Sequence, residues 1–174
     1  MSHRTFPSDI NHILANARRV EMRLEGRKDM KILVALDDSK SSEAALNAIL
    51  SQFRPQDTQV RVVHVLQPIA VSAPPQMSAK YAPELEELGK QARELLERAA
   101  NTLRAAGFQA DFALEKGDIR LRITDVAAEW NADLIVLGSH GRSGIPRLLL
   151  GSVAEFVARN AGCSVEIVRA PGKR

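Results

Sequence analysis

The sequence predicts an α/β fold: an open, five-stranded parallel sheet of Rossmann-like form, with helices on both faces. Five short apolar runs alternate with helical patterns, and this alternation is typical of parallel strands joined by right-handed crossovers. The runs are apolar on consecutive residues, as expected for strands that are covered on both faces. The chain has 174 residues, 45% of them hydrophobic, which is enough for one domain with a buried core.

Each strand is predicted from one short run. ADLIVLG is the strongest signal, and FQADFALEKG is weaker because it alternates only in part. In chain order the predicted strands are Lys31–Leu36, Gln59–Leu66, Phe108–Gly117, Ala132–Gly138 and Ser164–Ala170. If strand 1 is central, the natural strand order is 3-2-1-4-5, and the order then changes direction between strands 1 and 4.

Four helices are predicted between the strands, from apolar positions at helical spacing and from signals at the helix ends. They cover residues 41–53, with Ser41 or Ser42 as the N-cap; 83–107, from Pro83 to Gly107; 118–132, with Asp118 as the N-cap; and 152–162, from Ser152 to Gly162. The stretch from Gln67 to Ala82 holds three prolines and has no clear period. It is predicted to be a long irregular connection.

The two ends of the chain stand outside this alternation. Residues 1–29 form an N-terminal extension, in which Ile10, Ile13, Leu14 and Leu24 share one helical face. We expect an extra helix there, followed by a hinge at Gly26. The predicted domain covers residues 30–170, and residues 171–174 are a short tail.

Composition narrows the classes of function. The net charge is only +3, and aromatic residues make up 4% of the chain, so the sequence lacks the dense basic and aromatic surface that is typical of nucleic-acid binding. A single cysteine, Cys163, excludes an intramolecular disulfide and favours a reducing compartment. No apolar run has the length of a signal peptide core or of a membrane span. We expect a soluble, cytoplasmic protein with no membrane partner.

The stretch GSHGRSGIPRLLLGS, from Gly138 to Ser152, connects strand 4 to the last helix. It starts at the switch point of the predicted sheet, where Asp37 follows strand 1. The helix that begins at its far end presents unpaired N–H groups and a partial positive charge. Two interpretations remain open: a flexible surface connection, or a cradle for an anion, above all the phosphates of a nucleotide.

The spacing Gly138-x2-Gly141-x9-Gly151-Ser152 resembles the G-x2-G-x9-G-[ST] signature of the ATP-binding members of the universal stress protein family. ILVALDDSKSSEAAL resembles the opening strand and loop of that family, and the resemblance extends over about Met30 to Arg169. It implies a fold like that of the adenine nucleotide alpha hydrolases, a homodimer and a nucleotide site. Two positions depart from the usual pattern, since Ser164 follows Cys163 and Ile119 follows Asp118, where proline is frequent.

The resemblance implies ATP, ADP or AMP as the ligand and assigns roles to ten residues. Asp37 would lie beside the nucleotide; Val65, Leu137 and Gly138 would line the adenine and ribose; Gly141, Gly151, Ser152 and Val153 would hold the phosphates; His140 and Arg142 would add charge or a hydrogen bond. Because Asp37 and Asp38 are adjacent acids at a strand end, Asp37 is also a candidate Mg²⁺ ligand. His64 and Cys163 are interpreted as core residues, the histidine with its hydrogen bond satisfied and the cysteine as a buried hydrophobe.

Three functions remain open. The first is a nucleotide-binding module in stress response or signalling, the second a slow ATPase or phosphate-transfer protein in which His140 or Asp37 assists, and the third a structural dimer with an empty site. A receiver domain would need an aspartate at the end of strand 3 and a lysine after strand 5, where this chain has Glu115 and Arg169. The apolar last strand, residues 164–170, is predicted to be an exposed edge through which two copies pair.

Overall fold

The computed structural model describes residues 29–67, 75–141 and 150–170, and for residues 75–82 it describes the backbone only. The predicted N-terminal helix and hinge, the tail at 171–174 and Arg142 therefore lie outside the described residues. Within the described part of the chain, no helix is both long enough and apolar enough to cross a membrane.

The described strands form one parallel sheet, as the sequence predicts. The strands are β1 (Met30–Ala35), β2 (Thr58–Leu66), β3 (Gln109–Lys116), β4 (Leu134–Gly138) and β5 (Ser164–Val168). Their order is β3-β2-β1-β4-β5, and every neighbouring pair is parallel. In the centre of the sheet, Val34 pairs with Val62 on one side and with Val136 on the other. The order changes direction between β1 and β4, so the ends of these two strands define the switch point.

Helices cover both faces of the sheet. They are α1 (Lys40–Gln52), α2 (Pro75–Ala105), α3 (Ile119–Trp130) and α4 (Ser152–Asn160), with a short 3₁₀ helix at Pro55–Asp57. Alternate residues of each strand point to opposite faces. Ile32 and Val34 therefore lie in one core cluster with Ile49 of α1 and Leu96 of α2. Leu33 lies in a second cluster, with residues of α3 and α4.

Two predicted helix starts are wrong. The N-cap of α1 is Ser39, whose Oγ accepts the N–H of Ser42 at 3.2 Å, while Ser41 and Ser42 lie buried in the first turn. Helix α2 begins at Pro75, eight residues before the predicted start at Pro83, which lies inside the helix. Proline suits the first turn because the N–H that it lacks has no partner there. Pro75 has this position, so residues 75–82 of the predicted irregular connection are helical, while residues 68–74 lie outside the described residues.

Two other predictions concern single residues. Asp118 is the N-cap of α3, as predicted, and its side chain accepts the N–H groups of Arg120 and Leu121 at 2.9 and 3.3 Å. The hydrogen bonds from Arg120, led by its guanidinium, lower the pKa of Asp118 to about 2. Cys163 is half-buried rather than buried, because it follows the end of α4 and packs on the margin of the second core cluster.

Candidate functional site

A cavity of about 450 Å³ opens at the carboxyl ends of β1, β2 and β4, at the switch point of the sheet. Ligands in open parallel sheets bind at this place. Nine of the ten residues predicted for the site line it: Asp37, Val65, Leu137, Gly138, His140, Gly141, Gly151, Ser152 and Val153. The tenth, Arg142, is outside the described residues. The fold thus brings together residues that are more than a hundred positions apart in the chain.

One wall of the cavity is apolar. Val65 and Leu137 contribute side chains that are almost fully buried, and Ile119 and Ile123 of α3 belong to the same lining and the same core cluster. An apolar wall beside a few polar groups is the usual composition of a small-molecule site. The two isoleucines are absent from the predicted site. Their spacing places them on one face of α3, but only the packing of that helix shows that this face meets the cavity.

Asp37 is held in a fixed orientation. Its backbone N–H donates to Ser42 Oγ at 2.8 Å, and the Ser42 hydroxyl donates to Asp37 Oδ1 at 2.6 Å. The N–H of Ser42 is bound in turn by Ser39, the N-cap of α1. The start of α1 therefore orients the carboxylate from one side. Ser42 is absent from the predicted site, because a serine at the start of a helical pattern indicates only a helix cap.

Gly138 and Gly141 are both places of close approach, but to different partners. A Cβ at Gly138 would lie 2.5 Å from Ser41 Cβ and 2.8 Å from the carbonyl carbon of Ser41. This glycine therefore lets the first turn of α1 contact the end of β4. A Cβ at Gly141 would lie 2.8 Å from Asp37 Oδ2. The backbone of the loop thus passes directly beside the oriented carboxylate.

Gly151 attaches the start of α4 to the end of β4. Its N–H donates to the carbonyl of Ser139 at 2.8 Å, and a Cβ here would lie 3.2 Å from that oxygen. Gly151 is the N-cap residue and offers no side-chain cap. The N–H groups in the first turn of a helix have no partner within the helix, and they carry partial positive charge. Ser152, Val153 and Ala154 belong to this turn and line the cavity, so its far end is suited to an anion.

Two histidines also line the cavity. His140 is half-buried, and its Nδ1 lies 3.1 Å from Ser139 Oγ. His64 is buried, and its Nδ1 lies 2.7 Å from the carbonyl oxygen of Leu36. Because a carbonyl only accepts, the hydrogen of this bond is on Nδ1. This confirms the interpretation of His64 as a core histidine with its hydrogen bond satisfied.

The two adjacent aspartates diverge. Asp37 lines the main cavity and is the one carboxylate among its described lining residues. Asp38 lines a second cavity of about 250 Å³ between the end of β2 and α2. Among the described residues there is no group of three or more His, Cys, Asp or Glu side chains that could hold a metal ion. A cation in the main cavity would therefore depend on Asp37 and on oxygens supplied by the ligand and by water.

The strand order, the helices on both faces and the cavity at the switch point together define a doubly wound α/β protein with a small-molecule site. The family model of the universal stress protein family matches residues 30–169, and the chain belongs to this family.

Similar proteins agree with this assignment. The chain is 32% identical over 145 residues to the universal stress protein YxiE of Bacillus subtilis, a match that covers 80% of this chain and 98% of that protein. It is also similar to the structure of the universal stress protein from Archaeoglobus fulgidus in complex with dAMP, with 26% identity, a TM-score of 0.56, and coverage of 81% and 98% of the two chains. A universal stress protein in complex with cAMP has 25% identity and a TM-score of 0.56, with coverage of 83% and 99%.

Proposed function

We propose that this protein binds an adenine nucleotide (ATP, ADP or AMP) in the main cavity and acts as a stress-response or signalling module. The observation that carries the proposal is the arrangement of three kinds of group around one cavity. An apolar wall, an oriented carboxylate and the N-terminus of α4 correspond to a base, a ribose and a phosphate. The solved relatives that hold dAMP and cAMP support an adenine nucleotide as the ligand.

The proposed roles follow from where the residues lie. Val65 and Leu137 would contact the adenine, with Gly138 and Asp37 beside the ribose. The phosphates would lie at the start of α4, where the backbone of Gly151 and Val153 and the hydroxyl of Ser152 bind them. Gly141, His140 and Arg142 would complete this end of the site. With ATP, Mg²⁺ would bind between the phosphate oxygens and Asp37.

A slow ATPase is the second candidate function. The observation that favours it is that His140 lines the cavity. Its Nδ1 lies 3.1 Å from the hydroxyl oxygen of Ser139, and the imidazole would lie beside the phosphates of a bound nucleotide. An imidazole can accept a proton and act as a general base. The test compares ADP release from ATP by the wild type and by His140→Ala. If the variant releases no ADP but binds ATP as tightly as the wild type, the ATPase is favoured over simple binding.

Two further parts of the proposal concern the whole chain. We place the protein in the cytoplasm, on the ground of its single cysteine. We also propose a homodimer that pairs through β5.

A structural dimer with an empty cavity is the alternative to nucleotide binding. Nucleotide identified by mass spectrometry in the purified protein would exclude this alternative.

Titration calorimetry with AMP, ADP and ATP, with and without Mg²⁺, tests the proposal directly. We expect binding in the micromolar range, which corresponds to about −8 kcal/mol. Asp37→Asn should weaken binding about tenfold, which is about 1.4 kcal/mol. The matched control is Asp57→Asn, at an exposed aspartate in the 3₁₀ helix, and it should bind as the wild type does. No heat above buffer at millimolar concentrations of all three nucleotides would contradict the proposal.

A further inference from the structure

We propose that His64 is a positioning residue of the nucleotide site: it holds the peptide unit between Leu36 and Asp37 and thereby sets the direction of the Asp37 carboxylate. This inference rests on the proposed function, and it adds a residue that the glycine signature does not include. It starts from the hydrogen bond between His64 Nδ1 and the carbonyl oxygen of Leu36, 2.7 Å long.

The bond lies where the regular ladder of the sheet ends. Strand β1 ends at Ala35, yet the N–H of Leu36 still donates to the carbonyl of Val63 at 2.9 Å. The carbonyl of Leu36 then points to the imidazole of His64, the next residue of β2. Strand β2 therefore holds both backbone groups of Leu36, one through its backbone and the other through a side chain. The chain leaves the sheet only after this residue.

The same peptide unit is held from two sides. The carbonyl of Leu36 and the N–H of Asp37 belong to one planar peptide group. His64 donates to the carbonyl, and the N–H donates to Ser42 Oγ at 2.8 Å. The hydroxyl of Ser42 also donates to Asp37 Oδ1. With both ends of the peptide plane bound, the Asp37 side chain leaves the backbone in one direction, toward the cavity and toward Gly141.

The environment of the ring fixes which nitrogen carries the hydrogen. His64 is nine-tenths buried, and alternation along β2 puts its side chain on the face of Val62, toward α2. It also lines the second cavity, between β2 and α2, into which water can enter. Among the described residues, the hydrogen-bond partner of the ring is the Leu36 carbonyl, which Nδ1 contacts at 2.7 Å. Because the Leu36 carbonyl only accepts, the hydrogen of this bond is on Nδ1.

A pair of variants separates this role from simple packing. In His64→Asn, the amide nitrogen takes about the place of Nδ1 and can still donate. His64→Leu has the same branched skeleton of side-chain heavy atoms as asparagine, but it has no donor. We expect the AMP affinity of His64→Leu to be about tenfold lower than that of the wild type, a loss of about 1.4 kcal/mol, and the affinity of His64→Asn to stay within about threefold.

A double-mutant cycle tests whether the effect passes through Asp37. In an Asp37→Asn background, His64→Leu should cost less than about twofold in AMP affinity, because no carboxylate remains to be positioned. If His64→Leu lowers the AMP affinity about tenfold in both backgrounds, His64 acts on the fold and not through Asp37, and the proposal is overturned. If His64→Leu does not fold, His64→Gln replaces it, since its amide nitrogen matches Nε2 rather than Nδ1. It should then bind AMP about tenfold more weakly than His64→Asn.

The outcomes distinguish the two proposals. If the wild-type protein gives no heat with any adenine nucleotide, the proposed function is overturned, and the positioning role with it. If the wild-type protein binds AMP, but the asparagine variant binds it no more tightly than the leucine or glutamine variant does, the positioning role alone is overturned. Melting curves of all variants without nucleotide serve as the control for folding.

Discussion

At the scale of single residues, the glycines of the signature have separate tasks. Gly138 lets α1 contact β4, Gly151 attaches α4 to the end of β4, and Gly141 lies against the carboxylate of Asp37. All three glycines therefore approach other protein atoms, and Gly138 and Gly151 do so where a helix meets the end of β4. The glycine signature is therefore a packing signature in this protein, whatever ligand its loop binds.

Gly138→Ala should destabilise the protein, because the new Cβ would lie 2.5 Å from Ser41 Cβ and 2.8 Å from backbone. Overpacking of this kind costs about 1–3 kcal/mol in the free energy of unfolding. The matched control is Gly89→Ala in α2, where a Cβ meets nothing within 4 Å and should stabilise the helix by about 0.5–1 kcal/mol. Urea denaturation measures both. Equal stability of the two variants would mean that α1 can move away from β4 at no cost.

At the scale of elements, the starts of the helices organise the site. Helix α1 begins with the Ser39 cap that leads to Ser42 and Asp37, and α4 begins at Gly151 with no side-chain cap. Helix α3 begins at Asp118 and presents Ile119 to the cavity in its first turn. The two capped helices have their first-turn N–H groups bound by a side chain, whereas α4 has no side-chain cap, which is why the proposed function puts the phosphates there.

The cap of α3 should give the stability of the protein a measurable pH dependence. The folded pKa of Asp118 is about 2, below its ordinary value of 3.8, because Arg120 binds the charged form. A depressed pKa means that the carboxylate stabilises the fold fully above about pH 4. That contribution is lost as the pH falls toward 2.

Asp118→Asn keeps a good N-cap and removes the charge. The difference in unfolding free energy between wild type and variant should therefore be constant above about pH 4 and disappear near pH 2. Urea denaturation between pH 2 and pH 6 measures it. A difference that persists unchanged at pH 2 would show that the ion pair with Arg120 is not its source.

At the scale of the whole molecule, β5 is one of the two edge strands of the sheet. Among the described strands it pairs with β4 alone, and all five of its residues are half-buried. An apolar edge without proline or lysine is a template for pairing with another chain. A twofold axis would satisfy the edges of both copies with the same patch. This is the physical basis of the homodimer in the proposed function.

Ile167→Lys should convert the dimer to a monomer, because it places a charge in the strand that would be shared. Light scattering measures the mass, and a melting curve shows whether the variant is folded. Leu121→Lys, at a residue of α3 that is 52% exposed, is the control and should leave the dimer intact. Deletion of residues 1–28 should also leave it intact. A dimer that survives Ile167→Lys and dissociates on the deletion would place the interface in the N-terminal extension.

The sequence by itself determined the architecture. Consecutive apolar residues in KILVAL and ADLIVLG indicate strands that are covered on both faces, and helical spacing between them requires parallel strands with crossovers. The central position of strand 1 then predicts that Asp37 and the glycine loop meet at the switch point. These features follow from local chemistry and chain order, and the structure confirms the fold with the predicted strand order.

Tertiary structure alone decided which groups meet in the cavity. The bond from His64 to Leu36, the contact of Gly138 with Ser41 and the exposure of Ile119 and Ile123 to the cavity depend on the relative placement of separate elements. The divergence of Asp37 and Asp38 into different cavities depends on it as well. A local pattern sets the face on which a side chain lies. The distances between faces arise only when the helices pack on the sheet, and contacts of a few ångströms cannot be read from spacing along the chain.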